Sequence, residues 1–233
     1  AYANRGNDIP LAARGNRILA LWPGKGKGYR GSGPAIVSTS DDNGRTWLAG
    51  DTPADDGTQN GHRFLAAVAD VRGDFHAVWL DNRTGMQALY HAGSSDGGKT
   101  WTANVTVDSA TCECCWNRIA AAPDGALYVL YRGKAPRDMA LAVSHDSGKT
   151  WARRLSLGGF DWMINLCPHV GGGLALTRAE GRQRVHALAY NGKEGAEGLY
   201  HLSSSDDGLN WTPPHRLGDE RAHHADLAAS PDG

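Results

Sequence analysis

Ser40-Asp41-Asp42-Asn43-Gly44-Arg45-Thr46-Trp47, Ser94-Ser95-Asp96-Gly97-Gly98-Lys99-Thr100-Trp101, Ser144-His145-Asp146-Ser147-Gly148-Lys149-Thr150-Trp151 and Ser204-Ser205-Asp206-Asp207-Gly208-Leu209-Asn210-Trp211 are copies of one phrase. It reads Ser-x-Asp-x-Gly-x-Thr-Trp, with Asn210 replacing the threonine in the last copy. Recurrence at the length of one supersecondary unit marks a repeat architecture. The chemistry within the phrase is that of a hairpin turn. The aspartate accepts hydrogen bonds from the backbone N–H groups that follow it, the glycine supplies positive φ, and the threonine hydroxyl closes the loop. The tryptophan is expected to bury its ring between neighbouring sheets. Asp42, Trp47, Asp96, Trp101, Asp146, Trp151, Asp206 and Trp211 are therefore read as folding devices.

Between the phrases the pattern is strand-like. Ile18-Leu19-Ala20-Leu21-Trp22, Phe75-His76-Ala77-Val78-Trp79, Ala126-Leu127-Tyr128-Val129-Leu130-Tyr131 and Leu174-Ala175-Leu176 are short apolar runs, each placed after a glycine-bearing turn. No stretch follows a 3.6-residue period, so the chain is all-β. Each unit is expected to run innermost strand, tight turn, second strand, loop, third strand, phrase, fourth strand. The units span 1–52, 53–108, 109–157 and 158–217, and 218–233 begins a fifth. His223 to Gly233 parallels the innermost strand of the third unit down to its Pro123-Asp124-Gly125 turn.

The repeated phrase resembles the Asp box, or BNR repeat, of the sialidases, which are six-bladed β-propellers with four-stranded antiparallel blades. The resemblance covers nearly the whole chain. It implies a sialidase-like β-propeller of which about four blades of six are present. Ring closure then calls for further blades from a longer chain or another chain, because an open sheet edge is a liability. The resemblance also implies an extracytoplasmic location, periplasmic or secreted. It speaks to architecture first, since Asp boxes in that family sit on the outer rim, away from the substrate.

Composition narrows the partners. With 40% hydrophobic residues and a formal net charge of −1, the chain lacks the basic footprint of a nucleic-acid binder. No apolar run reaches membrane-spanning length. Gly24-Lys25-Gly26-Lys27-Gly28 has no following helix and reads as an inter-strand loop, not a phosphate cradle. The expected ligand is a small molecule, a carbohydrate or a metal.

Internal alignment of the units points to one face. Ten residues before the turn glycines Gly73, Gly125 and Gly233 stand Arg63, Cys115 and His223. Such lead-ins to innermost strands crowd around the axis of a propeller. The expected ligand-binding face therefore carries His62, Arg63, Trp116, Arg118, Asp161, Trp162, His223 and His224.

The cysteines are the least generic feature. Cys112, Cys114 and Cys115 lead into the third unit, and Cys167 into the fourth with His169 two residues on. One reading is a disulfide in an oxidising compartment, with Cys167 bridging to one of the cluster, because joining the neighbours Cys114 and Cys115 strains the backbone. The other is a soft-metal site of Cys112, Cys114, Cys115, Cys167 and His169, with His62, His223 or His224 as a further ligand, suited to copper or zinc.

The family resemblance carries its own catalytic pattern. Sialidases hold the substrate carboxylate with three arginines, use an aspartate as acid or base, and attack with a tyrosine supported by a glutamate. The first arginine precedes Ile-Pro in the opening strand. Here Ile9-Pro10 follows Asp8, a carboxylate that repels an anionic sugar. Arg5, Arg63 and Arg118 are the candidates for the clamp, and Asp161 for the acid or base. The sequence thus favours a ligand-binding propeller built around its Cys/His cluster. A sialidase-type glycoside hydrolase and a protein-interaction platform stand as the alternatives.

Overall fold

A computed structural model describes residues 8–28, 31–57, 61–179, 181–222 and 224–230. No α-helix occurs among them. The described strands form four antiparallel sheets, each a four-stranded meander in chain order. The first is β1 (Leu11–Arg14), β2 (Arg17–Lys25), β3 (Ser32–Ser40) and β4 (Leu48–Gly50). The second is β5 (Arg63–Ala69), β6 (Phe75–Asp81), β7 (Ala88–Ser94) and β8 (Val105–Asp108). The third is β9 (Arg118–Ala121), β10 (Leu127–Arg132), β11 (Met139–Ser144) and β12 (Ala152–Arg154). The fourth is β13 (Gly172–Ala179), β14 (Arg182–Asn191), β15 (Gly198–Ser204) and β16 (His215–Leu217). The opening strands touch in succession, β1 against β5, β5 against β9 and β9 against β13. The sheets are the blades of a β-propeller, and their first strands line its axis.

The core lies between blades. Leu19 and Val37 of blade 1 meet Phe75 and Trp79 of blade 2. Val78 and Leu89 meet Val129 and Tyr131, and Tyr128 and Leu141 meet Val185 and Leu202. Blades 2 and 3 are thus covered on both faces, and every residue of β6, β7, β10 and β11 is buried. That is why their sequences are continuous apolar runs and not alternating ones.

One run sits out of phase with its expected place. Leu174–Leu176 belongs to β13, the first strand of its blade, whereas the other three runs form second strands. The glycines Gly172 and Gly173 read as a turn are themselves strand residues. An added Cβ on Gly173 would come within 3.0 Å of the Leu227 backbone nitrogen, so the glycine admits the segment that follows β16.

Each Asp box links the third strand of its blade to the fourth. In the first, Asp42 Oδ1 accepts the Thr46 N–H at 2.8 Å and Oδ2 accepts the Thr46 hydroxyl at 2.6 Å. The same pair recurs at Asp96, at Asp146 and at Asp206, where the Asn210 amide replaces the hydroxyl at 2.7 Å. These bonds hold the carboxyls of Asp42, Asp96 and Asp146 down at about 2.

The tryptophans depart from expectation. Trp101, Trp151 and Trp211 are only half-buried, each packed on the cluster shared with the preceding blade, and Trp47 is 42% exposed. The box reaches backwards: Trp101 Nε1 donates to Asp51 O in blade 1 at 2.9 Å, and Gly148 lies against the His91 ring of blade 2. The rings are wedges at a blade seam and not core residues.

Candidate functional site

Four segments converge on one cavity of about 210 Å³ at the axis. Asp8 comes from the lead-in to β1, Trp116 and Arg118 from the start of β9, Gly171 and Gly172 from the start of β13, and His224 and Ala225 from the segment after β16. Asn117 anchors the Trp116 segment by donating its side-chain amide to Phe64 O at 2.9 Å. The Trp116 ring meets Phe64 edge-on at 5.4 Å and His224 at 5.8 Å, and its Nε1 donates to Asp8. An added Cβ on Gly171 would come within 2.8 Å of the Trp116 Cβ, so glycine is what lets the two lead-ins touch.

Asp8 is the carboxylate of the cavity wall, and Arg118, the guanidinium there, is already paired with Asp226 at 3.2 Å. An anionic sugar needs guanidinium groups free to make bidentate contacts. Arg63 lies elsewhere, half-buried with its guanidinium 5.0 Å from the Phe64 ring centroid. Arg5 and His223 fall outside the described residues.

Three other members of the expected face are placed differently. His62 is not at the surface: its side chain is fully buried, with Nε2 at 3.3 Å from Asp56 and 3.6 Å from Asp81. Burial pushes its imidazole below the ordinary value, against the pull of the two carboxylates. Asp161 and Trp162 lie well ahead of β13, and their N–H groups donate to the two oxygens of Asp138 at 2.9 and 3.0 Å. Asp161 lines no part of the axial cavity. The Trp162 ring packs edge-on to Tyr190 at 5.9 Å, with the Arg132 guanidinium 5.3 Å from its centroid. The ten-residue alignment did not extend to blade 4, where a long irregular lead-in, from Leu155 to Gly171, precedes the first strand.

Beside the axial cavity lie the cysteines. Cys114 and Cys167 form a disulfide that ties the lead-in of blade 3 to that of blade 4. Cys112 and Cys115 are free and buried. With two sulfurs joined, the expected set of four thiolates is not available in this state, and His62 is turned to its own carboxylates. The Cys112 thiol is brought down to about 6 by a hydrogen bond from Cys115, aided by Arg137 and Arg132, while burial pushes Cys115 up. Arg132, fully buried, donates to Val170 O at 3.0 Å and Tyr190 O at 3.1 Å, so it stitches blade 3 to blade 4 behind the disulfide. Arg132 was not among the expected site residues; the available signal was a charge closing the apolar run of β10, Leu127–Arg132.

A ring of Asp-box blades with its opening strands at the axis defines a sialidase-like β-propeller. The chain belongs to the family described as BNR repeat-like domain, which it matches over residues 7–161. Solved structures agree on the fold. A Hadza microbial sialidase superposes with a TM-score of 0.58 at 17% identity, covering 96% of this chain and 48% of that one. The Trypanosoma rangeli sialidase gives 0.60 at 15% identity, with 97% and 41% covered. A Penicillium chrysogenum α-L-arabinanase complexed with arabinobiose gives 0.60 at 17% identity, with 91% and 67% covered. The chain thus spans about half the length of the sialidases it resembles. No match to the sequence was found among curated proteins.

Proposed function

We propose that this propeller works outside the cytoplasm and binds a neutral carbohydrate in its axial cavity. The observation that carries the reading is the convergence of Asp8, Trp116, Arg118 and His224, from three separate segments of the chain, on one concave surface. An indole face suits the C–H surface of a sugar, and the Asp8 carboxylate beside it accepts hydroxyl hydrogen bonds. With Arg118 committed to Asp226 and Asp8 facing the cavity, an acidic sugar meets repulsion there. The Cys114–Cys167 bridge supports an oxidising compartment, and the arabinanase complex shows that a similar fold accommodates a neutral sugar.

Fluorescence titration against a panel of neutral oligosaccharides and sialyllactose tests this. A neutral member is expected to bind, with Trp116→Ala weakening it by about tenfold or more. Preference for sialyllactose, or binding unmoved by that substitution, would overturn the assignment. A second reading, copper or zinc, applies to the reduced protein only. It is supported by the sulfurs of Cys112, Cys114 and Cys115 lying within 4.8 Å of one another, and elemental analysis before and after reduction reads it directly.

A further inference from the structure

The cysteines do more in this arrangement than staple two blades. Cys112 Sγ lies 3.9 Å from Cys114 Sγ, which is about van der Waals contact with one end of the disulfide. Cys112 is buried at 1% exposure, so its sulfur is held against the bridge by the surrounding packing. At the other end, Cys167 is exposed, and a ring nitrogen of His169 lies within 4.8 Å of both bonded sulfurs. A nucleophile, a central sulfur, a leaving sulfur and a proton carrier are therefore close neighbours.

We propose that Cys112, Cys114 and Cys167 form a thiol–disulfide exchange relay that presents Cys167 as a reactive surface thiol. The Cys112 sulfur attacks Cys114 Sγ; the Cys112–Cys114 bond forms as the Cys114–Cys167 bond breaks, and Cys167 leaves with the electron pair. The proton lost by Cys112 is balanced by the one that Cys167 takes up, from His169 or water. One disulfide replaces another, so no oxidant or reductant is consumed. The released thiol opens onto a cleft whose wall mixes apolar side chains, among them Trp162, Leu166 and Val170, with His169 and His224, and the site suits a disulfide or another soft electrophile. The same exchange uncouples the lead-ins of blades 3 and 4, and His224, shared with the axial cavity, borders that cleft.

The test is alkylation of the folded, oxidised protein with iodoacetamide in the presence of a chelator, followed by peptide mapping without reduction. The relay requires label on Cys167 together with a Cys112–Cys114 disulfide, at a rate that becomes independent of reagent concentration once trapping outruns exchange. Cys112→Ser should slow Cys167 labelling by about tenfold or more. The wild-type map decides the matter even if a variant fails to fold. Cys167 left unlabelled, Cys112 labelled with the Cys114–Cys167 bond intact, or labelling unchanged in Cys112→Ser would each overturn the relay.

Discussion

Blades 2 and 4 carry the same histidine pair in two different settings. In blade 2 the rings of His76 and His91 stack at 5.4 Å with a nitrogen–nitrogen contact of 3.1 Å. In blade 4 His186 and His201 stack at 5.3 Å with the same 3.1 Å contact. Each pair joins the second and third strands of its blade, so strand register builds it locally. The difference lies in what covers it. The Asp box of blade 3 sits on the first pair, Trp151 meeting His91 edge-on at 5.2 Å, and both histidines are buried. The second pair is half-buried. A blade therefore makes its own receptor for the next box, and the box supplies the burial.

The largest expected effect is at that seam. Trp151→Ala strips the wedge from the blade 2–blade 3 cluster and should cost about 2 kcal/mol, less than a fully buried tryptophan because the ring is half-exposed. Denaturant unfolding with an unchanged slope is the measurement. A loss under half that figure would mean that the seam is held by its strands and not by its box.

Acid should sharpen the comparison. Burial, and then the neighbouring His76, push His91 down to about 3, whereas His186 is lowered mainly by its lesser burial. An unfolded chain binds a proton near 6.5 that the folded His91 site refuses, so the unfolded state holds more protons across that window. Stability contributed by the neutral ring is complete above 6.5 and is lost progressively as pH falls from there towards 3. His91→Gln should flatten the stability–pH slope by about one proton in this range, and His186→Gln by less. Equal flattening by the two substitutions would show that the blade 4 pair is as well covered in solution as the blade 2 pair.

How far the sequence could be read follows the same division between local and non-local causes. The box turns were legible because the bonds that the box aspartate accepts within each turn join residues at most four apart, as Thr150 N–H to Asp146 does. Strand class was legible for blades 2 and 3, where burial on both faces writes itself as continuous apolar runs. The tryptophan burial was misjudged because it depends on a neighbour that the phrase does not encode. The axial cavity was legible in part: Trp116, Arg118 and His224 were placed on one face by repeat alignment, and all three line it. The alignment carried no information on the long lead-in of blade 4, and Asp161 and Trp162 line no part of that cavity. Which cysteine meets Cys167 was equally closed to it, since that depends on how two lead-ins cross.

The smallest expected effect is at the first box, and it isolates the wedge from the turn. Asp42 and Asp146 make the same bonds to the threonine that follows, and both carboxyls are held at about 2, so the turn is equally formed with or without a covered tryptophan. Trp47 Nε1 donates to Gly44 O at 3.0 Å as Trp151 Nε1 donates to Gly148 O at 3.1 Å. What Trp47 lacks is burial: it and Leu48 beside it are 42% and 65% exposed. Deleting an exposed ring removes little apolar contact, so Trp47→Ala should shift the unfolding free energy of this chain by no more than about 0.5 kcal/mol. A loss near that of Trp151→Ala would mean that another surface covers the first box in solution. A dependence of that loss on protein concentration would then identify the cover as a second copy of the chain.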